Sequence, residues 1–187
     1  MKVTQVFSDM KLSSKLMVVP MVVILFLLVL GFIANRGLGQ QKAAMEDVFN
    51  NRFKKYQTSA TVVKDVSNVH AGLYKVLNWA NAKYDDKKIE ALAKELTGVM
   101  DQTLAQVGGA LKSQGLAKEE RDLYQAILSQ LTEYKKTAVS AMDLATADLN
   151  TATMYMSTAD NSYQALNKTL HDLLAVETKL SKESYGF

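Results

Sequence analysis

Cysteine is absent from this 187-residue chain, and the single proline, Pro20, lies near the N-terminus. The lack of cysteine excludes disulfides, thiolate metal sites and cysteine nucleophiles. Only two histidines are present, His70 and His171, and they lie far apart in the sequence. We therefore expect no metal site and no cofactor. The lack of proline after the N-terminal region, together with abundant Ala, Leu, Lys and Glu, favours helix throughout the rest of the chain.

The net charge of +3 comes entirely from the first 36 residues. Of the 22 basic and 19 acidic residues, four basic and one acidic residue lie in this stretch, which leaves 18 of each sign after it. Nucleic-acid binding needs a basic surface that neutralises phosphates. The balanced remainder therefore predicts no nucleic-acid partner.

One long apolar run lies near the N-terminus, where Leu16–Ala34 carries no charge between Lys15 and Arg36. A helix of this length spans about 28 Å, enough for the hydrocarbon core of a bilayer. The sequence therefore predicts a transmembrane helix in contact with lipid over residues 16–35. A cleaved signal peptide is the alternative, although its apolar region is usually shorter.

The distribution of basic residues predicts the orientation of this helix. Lys2, Lys11 and Lys15 precede the span and favour a cytoplasmic lead-in over residues 1–15. Basic residues also follow the span, but long domains cross the membrane largely regardless of their charge. We therefore expect the inner (cytoplasmic) membrane, with residues 36–187 on its periplasmic or extracellular side.

Apolar residues recur at helical spacing through this second region. They predict four helices, at about residues 37–84, 86–114, 118–145 and 148–185, the first of them continuous with the transmembrane helix. The stripe predicted for the first helix is Tyr56, Ser59, Val63, Val66, His70, Leu73, Leu77, Ala80 and Tyr84. The stripe predicted for the third is Tyr124, Ile127, Leu131, Tyr134, Ala138, Ala141 and Ala145. Asp85 and Asp148 suit N-caps, and Gly115 suits a C-cap.

Four amphipathic helices joined by short turns predict an all-α fold, an up-down-up-down four-helix bundle preceded by one transmembrane helix. The alternative is a single helix formed by the third and fourth segments together. Its apolar stripe would have nothing to pack on except another chain. An even number of antiparallel helices also returns the chain to the side of the membrane that it left.

Several short segments carry a resemblance to a known family. They are Phe7–Leu16, the sequence His70–Tyr74 with Trp79 and Asp85, and Asp148 followed by Thr151–Met154. The chain resembles the periplasmic four-helix-bundle sensor module, with its N-terminal transmembrane helix, of bacterial methyl-accepting chemotaxis proteins. The resemblance covers the whole chain and is architectural, and histidine kinases and cyclases use the same module.

The resemblance implies a homodimer with a ligand pocket between the first and fourth helices, near the dimer interface. It also implies a second transmembrane helix and a cytoplasmic signalling output beyond Phe187. Seven residues are candidates for ligand binding: Lys64, Asn68, His70, Tyr74, Tyr155, Thr158 and Asn161. His70 has an alternative role as a core histidine bonded to a neighbouring polar side chain, and the residues of the fourth helix as surface or dimer contacts.

The candidate site departs from that of amino-acid-sensing relatives, in which arginines of the first helix bind the ligand carboxylate in bidentate fashion. The only arginine of this helix beyond the membrane flank is Arg52, and the middle of the helix has lysine, asparagine and histidine instead. Binding of a carboxylate through arginine is therefore not expected.

No set of catalytic residues occurs in the sequence, so we expect no enzyme activity. The favoured function is a chemoreceptor module that detects a small extracytoplasmic molecule, or a partner protein, and transmits the signal by helix displacement. One alternative is the sensor of a histidine kinase or cyclase. Another is a membrane-tethered helical adaptor without a small ligand.

Overall fold

A computed structural model of the chain describes residues 12–47 and 52–185. These residues form five helices: α1 (Leu12–Asp47), α2 (Phe53–Asn81), α3 (Asp86–Leu111), α4 (Lys118–Leu144) and α5 (Leu149–Tyr185). The described ranges contain no strand, so the predicted all-α class is confirmed. Two compact units divide the chain, one holding α1 and the other holding α2 to α5.

The first unit is the helix α1, which contains the apolar run. Its segment Pro20–Gly39 has a mean hydropathy of 2.3 and is long and apolar enough to cross a bilayer. The predicted span, residues 16–35, begins and ends four residues before this segment. Continuity of this helix with the bundle depends on residues 48–51, which lie outside the described residues, as does most of the lead-in over residues 1–15.

The second unit is a four-helix bundle, as the sequence predicts. Helix α2 packs on α3 and α5, and α4 packs on the same two neighbours. The pairs that are consecutive along the chain are joined by short turns, which gives the up-down-up-down arrangement. Helix α5 therefore lies between α2 and α4 and contacts both along its length.

Apolar side chains from all four helices fill the centre of this bundle. Every residue of the stripe predicted for α4 is buried, from Tyr124 to Ala145. On α5 the buried stripe begins with the small residues Ala152 and Ala159 and continues with Leu166, Leu170 and Leu173. The alanines bring α4 and α5 close together in one half of the bundle.

The stripe predicted for α2 is wrong at its two ends. Tyr56 and Tyr84 are 40% and 45% exposed, and the predicted Val63, His70 and Ala80 are only partly buried. Val62, Val69 and Val76 are buried although they were not predicted. A helix with two packed neighbours buries a face wider than the narrow seam of a coiled coil. Tyr84 also lies beyond the end of α2 at Asn81. In the turn between them, Lys83 adopts a left-handed φ of 50°.

The helix ends follow local capping chemistry. Asp85 accepts hydrogen bonds from the backbone amides of Lys87 and Lys88 at the start of α3. Thr151 donates to the carboxylate of Asp148 through both its amide and its hydroxyl at the start of α5. Helix α3 ends at Leu111, three residues before the predicted boundary, where Gly108 and Gly109 weaken its last turn.

Gly72, on α2, packs against the side chain of Leu96 on α3. A methyl group at this position would lie 2.5 Å and 2.8 Å from the two Cδ atoms of Leu96. Leu96 is itself buried, so it has little room to move. Gly98, on α3, has nothing within 4 Å of the corresponding position.

We therefore predict that Gly72→Ala lowers the free energy of unfolding by about 1–3 kcal/mol, because it overpacks the contact with Leu96. Gly98→Ala is the matched control and should raise it by about 0.5–1 kcal/mol, because alanine favours helix. Chemical denaturation of the full chain measures both values. Equal effects of the two substitutions would show that the helices do not approach closely at Gly72.

Candidate functional site: a histidine–tyrosine–aspartate cluster

Polar and aromatic side chains from α2, α4 and α5 meet around His70. We call the group formed by His70, Tyr74, Tyr134, Asp160 and Tyr163 the His70 cluster. His70 Nδ1 lies 3.2 Å from the hydroxyl oxygen of Tyr134 on α4. Its Nε2 lies 3.1 Å from Asp160 Oδ1 on α5. The imidazole thus connects three helices through hydrogen bonds.

Aromatic contacts hold the imidazole in this orientation. The ring of Tyr163 stacks on it at a centroid distance of 3.8 Å and an interplanar angle of 6°. The ring of Tyr74 approaches it edge-on at 5.4 Å and 85°. The Tyr74 hydroxyl also donates to Asp160, whose two carboxylate oxygens lie 2.9 Å and 2.8 Å away. Asp160 therefore accepts from two residues of α2.

Helix periodicity brings these residues together. His70 and Tyr74 are four residues apart on α2, and Asp160 and Tyr163 are three apart on α5, so each pair shares one helix face. Both faces border the apolar stripe where α2 and α5 pack on each other. Tyr134 comes from the buried stripe of α4 and closes the cluster from the interior.

Burial favours the neutral form of the imidazole. Desolvation lowers the pKa of His70 below its ordinary value of 6.5, although the nearby Asp160 carboxylate opposes this effect. A neutral ring with its proton on Nε2 donates to Asp160 and accepts from Tyr134 at Nδ1. Burial also raises the pKa of Tyr134, so its hydroxyl keeps the proton that this bond requires. One tautomer therefore satisfies both nitrogens.

The order Asp160–His70–Tyr134 is similar to the acid, imidazole and hydroxyl of a catalytic triad. Tyr134 is 0% exposed, however, so its hydroxyl is not accessible to a substrate in solution. The most exposed members of the cluster are Tyr74, which is 46% exposed, and Asp160, whose side chain is 31% exposed. The arrangement is suited to binding and positioning.

The structure places two of the seven predicted ligand residues, His70 and Tyr74, in this cluster. Lys64 and Asn68 are exposed and lie more than about 100° around α2 from His70. Three predicted residues of α5 are exposed as well: Tyr155, Thr158 and Asn161. The seven residues therefore do not converge on one site within a single chain.

Three members of the cluster were not predicted as site residues. Tyr134 lies on the apolar stripe predicted for the third helix, and Tyr163 lies three residues before the buried Leu166 of the fourth. A tyrosine in such a position is usually a packing residue. Asp160 directly follows the buried Ala159, and an acid at the border of a stripe is the signal that would have identified it. A surface cavity of about 630 Å³ between α3 and α4 involves none of the seven predicted residues.

Comparison with protein-family models matches residues 9–186 to the four-helix-bundle sensory module for signal transduction. The match covers nearly the whole chain. It confirms the predicted four-helix bundle and the resemblance to this sensory module. Comparison with curated proteins gave no match.

The lowered pKa of His70 predicts a pH-dependent stability. Unfolding returns this pKa to its ordinary value, so His70 favours the folded bundle above pH 6.5, and this contribution is lost as the pH falls below that value. The wild type should therefore lose stability relative to His70→Gln on acidification below pH 6.5. Denaturation curves at several pH values measure the difference.

His171→Gln is the matched control, because His171 is the other histidine and is exposed on α5. Its stability should follow the wild type across the same range. A constant difference between the wild type and His70→Gln would contradict the lowered pKa of the partly buried imidazole.

Proposed function

The chain belongs to the family of four-helix-bundle sensory modules for signal transduction, and from this premise we propose that it is the ligand-sensing module of a transmembrane chemoreceptor. In this proposal it detects a small molecule outside the cytoplasm. Displacement of α5 then carries the signal towards a cytoplasmic output. Attachment of the same module to a histidine kinase or cyclase is the alternative output.

The His70 cluster is the observation that carries this proposal. Asp160 and Tyr163 lie on α5, and their partners lie on α2 and α4, so a molecule that breaks or replaces these contacts acts on α5 directly. Helix α5 runs without interruption for 37 residues. A shift at Asp160 is therefore passed along the helix to its other end, in the manner of helix shifts at other switching interfaces.

The rim of the cluster indicates the chemistry of the ligand. The Asp160 carboxylate accepts a hydrogen bond from the exposed Tyr74, and an amine or hydroxyl group of a ligand can take the place of this donor. A ligand carboxylate would instead meet the like charge of Asp160. We therefore expect a small amine or a neutral polar molecule.

The exposed candidate residues would belong to a different ligand site from the His70 cluster. Lys64, Asn68, Tyr155, Thr158 and Asn161 can contact a ligand only on the outer surface of the bundle. The homodimer implied by the resemblance would cover such a surface with a second copy. A ligand bound there would depend on these residues and not on His70.

We also propose that the module binds its ligand without converting it chemically. The buried hydroxyl of Tyr134 is out of reach of a substrate, and the imidazole already has partners at both nitrogens. We therefore expect no enzyme activity from a site whose groups serve to hold three helices in register.

Anchoring in the inner membrane through α1 completes the proposal. The apolar segment Pro20–Gly39 is longer than the apolar region of a usual signal peptide. The basic residues before it favour a cytoplasmic N-terminus and a bundle on the periplasmic side.

A thermal-shift screen of the full chain in detergent tests ligand binding, with amines, sugars, amino acids and carboxylates as separate groups. Binding to the folded state raises the melting temperature, and a ligand at about 100 times its Kd adds about 2.7 kcal/mol. We predict a stabilising amine or neutral polar molecule, and we predict that His70→Ala abolishes its shift.

His171→Ala is the control for this screen and should keep the full shift, because His171 lies outside the cluster. A shift that survives His70→Ala but is lost in Lys64→Ala or Asn161→Ala would move the site to the outer surface. No shift with any group of compounds would favour a helical adaptor or recognition of a partner protein.

Topology is tested by cysteine labelling, since the chain has no cysteine of its own. We predict that Thr146→Cys, exposed in the turn between α4 and α5, reacts with a membrane-impermeant maleimide in cells with a permeabilised outer envelope. The labelled protein should stay in the membrane fraction at its full mass of 20.7 kDa. A shortened, released product would identify α1 as a cleaved signal peptide.

A further inference from the structure

A second buried polar group lies on α5, far along the helix from the His70 cluster. Glu177 is 2% exposed. Its Oε1 accepts hydrogen bonds from the hydroxyls of Ser59 on α2 and Tyr124 on α4, each at 2.8 Å. Its Oε2 is buried and has no hydrogen-bond partner among the described residues. A carboxylate is thus held in the core by two neutral donors alone.

The neighbouring cations are directed at a different acid. Glu120, on α4, is 0% exposed and is paired with Arg52 at 3.2 Å and with Lys55 at 3.8 Å. Its Oε2 also accepts from the backbone amide of Ala117 at 2.7 Å. Lys55 attracts Glu177 from a greater distance, whereas the charge of Glu120 repels it. Glu177 is therefore the less well compensated of the two buried acids.

The hydrogen bonds around Glu177 need one more hydrogen than its two hydroxyl neighbours supply. Ser59 Oγ, Tyr124 Oη and Glu177 Oε1 form a triangle with edges of 2.8, 2.8 and 2.9 Å. Two hydroxyls supply only two hydrogens for these three edges. A proton on Oε1 would supply the third, so that each oxygen donates once and accepts once.

The other charged groups around Glu177 do not compensate its charge. Its helix packs on α2 and α4, which present Arg52, Lys55, Glu120 and Tyr124 to this region. Burial raises the pKa of Glu177 above its ordinary value of 4.5, although the bonds from Ser59 and Tyr124 lower it in part. Burial likewise raises the pKa of Tyr124, which stays a hydroxyl donor.

We propose that Glu177 is a proton-operated switch within the bundle. Uptake of one proton from solution completes the triangle with Ser59 and Tyr124 and draws α5 against α2 and α4. Release of that proton leaves an uncompensated charge in the core and loosens this contact. Because α5 is the helix assigned to signal transfer, external pH sets the resting position from which a ligand acts. Only this last consequence rests on the proposed function.

The sign of the pH dependence follows from the raised pKa of Glu177. Protonated Glu177 favours the folded bundle at low pH, and its contribution is lost as the pH rises from 4.5 through the raised value. This is opposite in sign to the effect of His70. The two groups are therefore separated by comparing each variant with the wild type.

The experiment compares the full chain in detergent with Glu177→Gln, a neutral side chain of the same size. The melting temperature of the wild type relative to this variant should fall as the pH rises above 4.5, by roughly 2–4 °C for each kcal/mol lost. Glu133→Gln is the matched control, because Glu133 is exposed on α4. Its difference from the wild type should not change over this range.

Carboxyl carbon NMR of the wild type gives a direct second readout, with the Glu177 signal assigned by its loss in Glu177→Gln or by its shift in Tyr124→Phe. We predict a titration midpoint above 4.5. Tyr124→Phe removes one donor to the carboxylate and should move the midpoint upward. These measurements need no ligand, so they remain decisive if the ligand screen fails.

Two results would overturn the proposal. One is a midpoint at or below 4.5 in the wild type. The other is a midpoint that stays in place or moves down in Tyr124→Phe. Both can be obtained even if Glu177→Gln fails to fold, because Tyr124→Phe keeps the ring that fills the core.

Discussion

Buried polar groups must keep their hydrogen-bond partners, and the placement of α5 depends on this requirement. Its apolar stripe, which includes Leu166, Leu170 and Leu173, makes non-directional contacts that a small sliding motion changes little. Hydrogen bonds depend steeply on distance and angle. The contacts of Asp160 with α2 and of Glu177 with α2 and α4 therefore define the axial position of α5, at two levels of the bundle.

Much of the fold could be predicted from the sequence, because helical periodicity and capping are local properties. Every residue of the stripe predicted for α4 is buried, although Glu120, Thr137 and Met142 are buried in addition. Asp85 and Asp148 cap the helices that they precede. The predicted helix boundaries lie within three residues of those observed, except where α1 and α2 meet outside the described residues. Errors on α2 arose because a helix with two neighbours buries a broader face than one seam.

The candidate site was predictable only in part. His70 was identified because it is a polar residue at a stripe position of α2, and Tyr74 was among the candidates as well. Their partners depend on how three helices pack. Periodicity counts apolar positions, so it passed over Glu177, four residues after Leu173, and Glu120, four residues before Tyr124. An ionisable residue at a stripe position is the sequence signal for both. Its partners follow only from the tertiary structure.

The His70 cluster and the group around Glu177 differ in the kind of molecule or ion to which they can respond. The His70 cluster meets solvent at Tyr74 and Asp160, where a small molecule can compete for hydrogen bonds. Glu177 is enclosed and responds only to something as small as a proton. Both include residues of one unbroken helix, which we propose transmits the signal. A ligand shifts this helix only by binding its two positions with different affinity.

The most direct test of this account is the distribution of distances between spin labels on α2 and α5. Cysteines at the exposed positions Gln57 and Lys179 carry the labels. The account predicts one narrow distribution in the otherwise unchanged chain. It predicts a broadened or displaced one in the double variant Asp160→Asn, Glu177→Leu. This variant should stay folded, because an apolar group can replace the buried Glu177 without loss of stability and Asn has the size of the partly exposed Asp160. An equally narrow distribution at the same mean distance in the double variant would show that the apolar core alone positions α5.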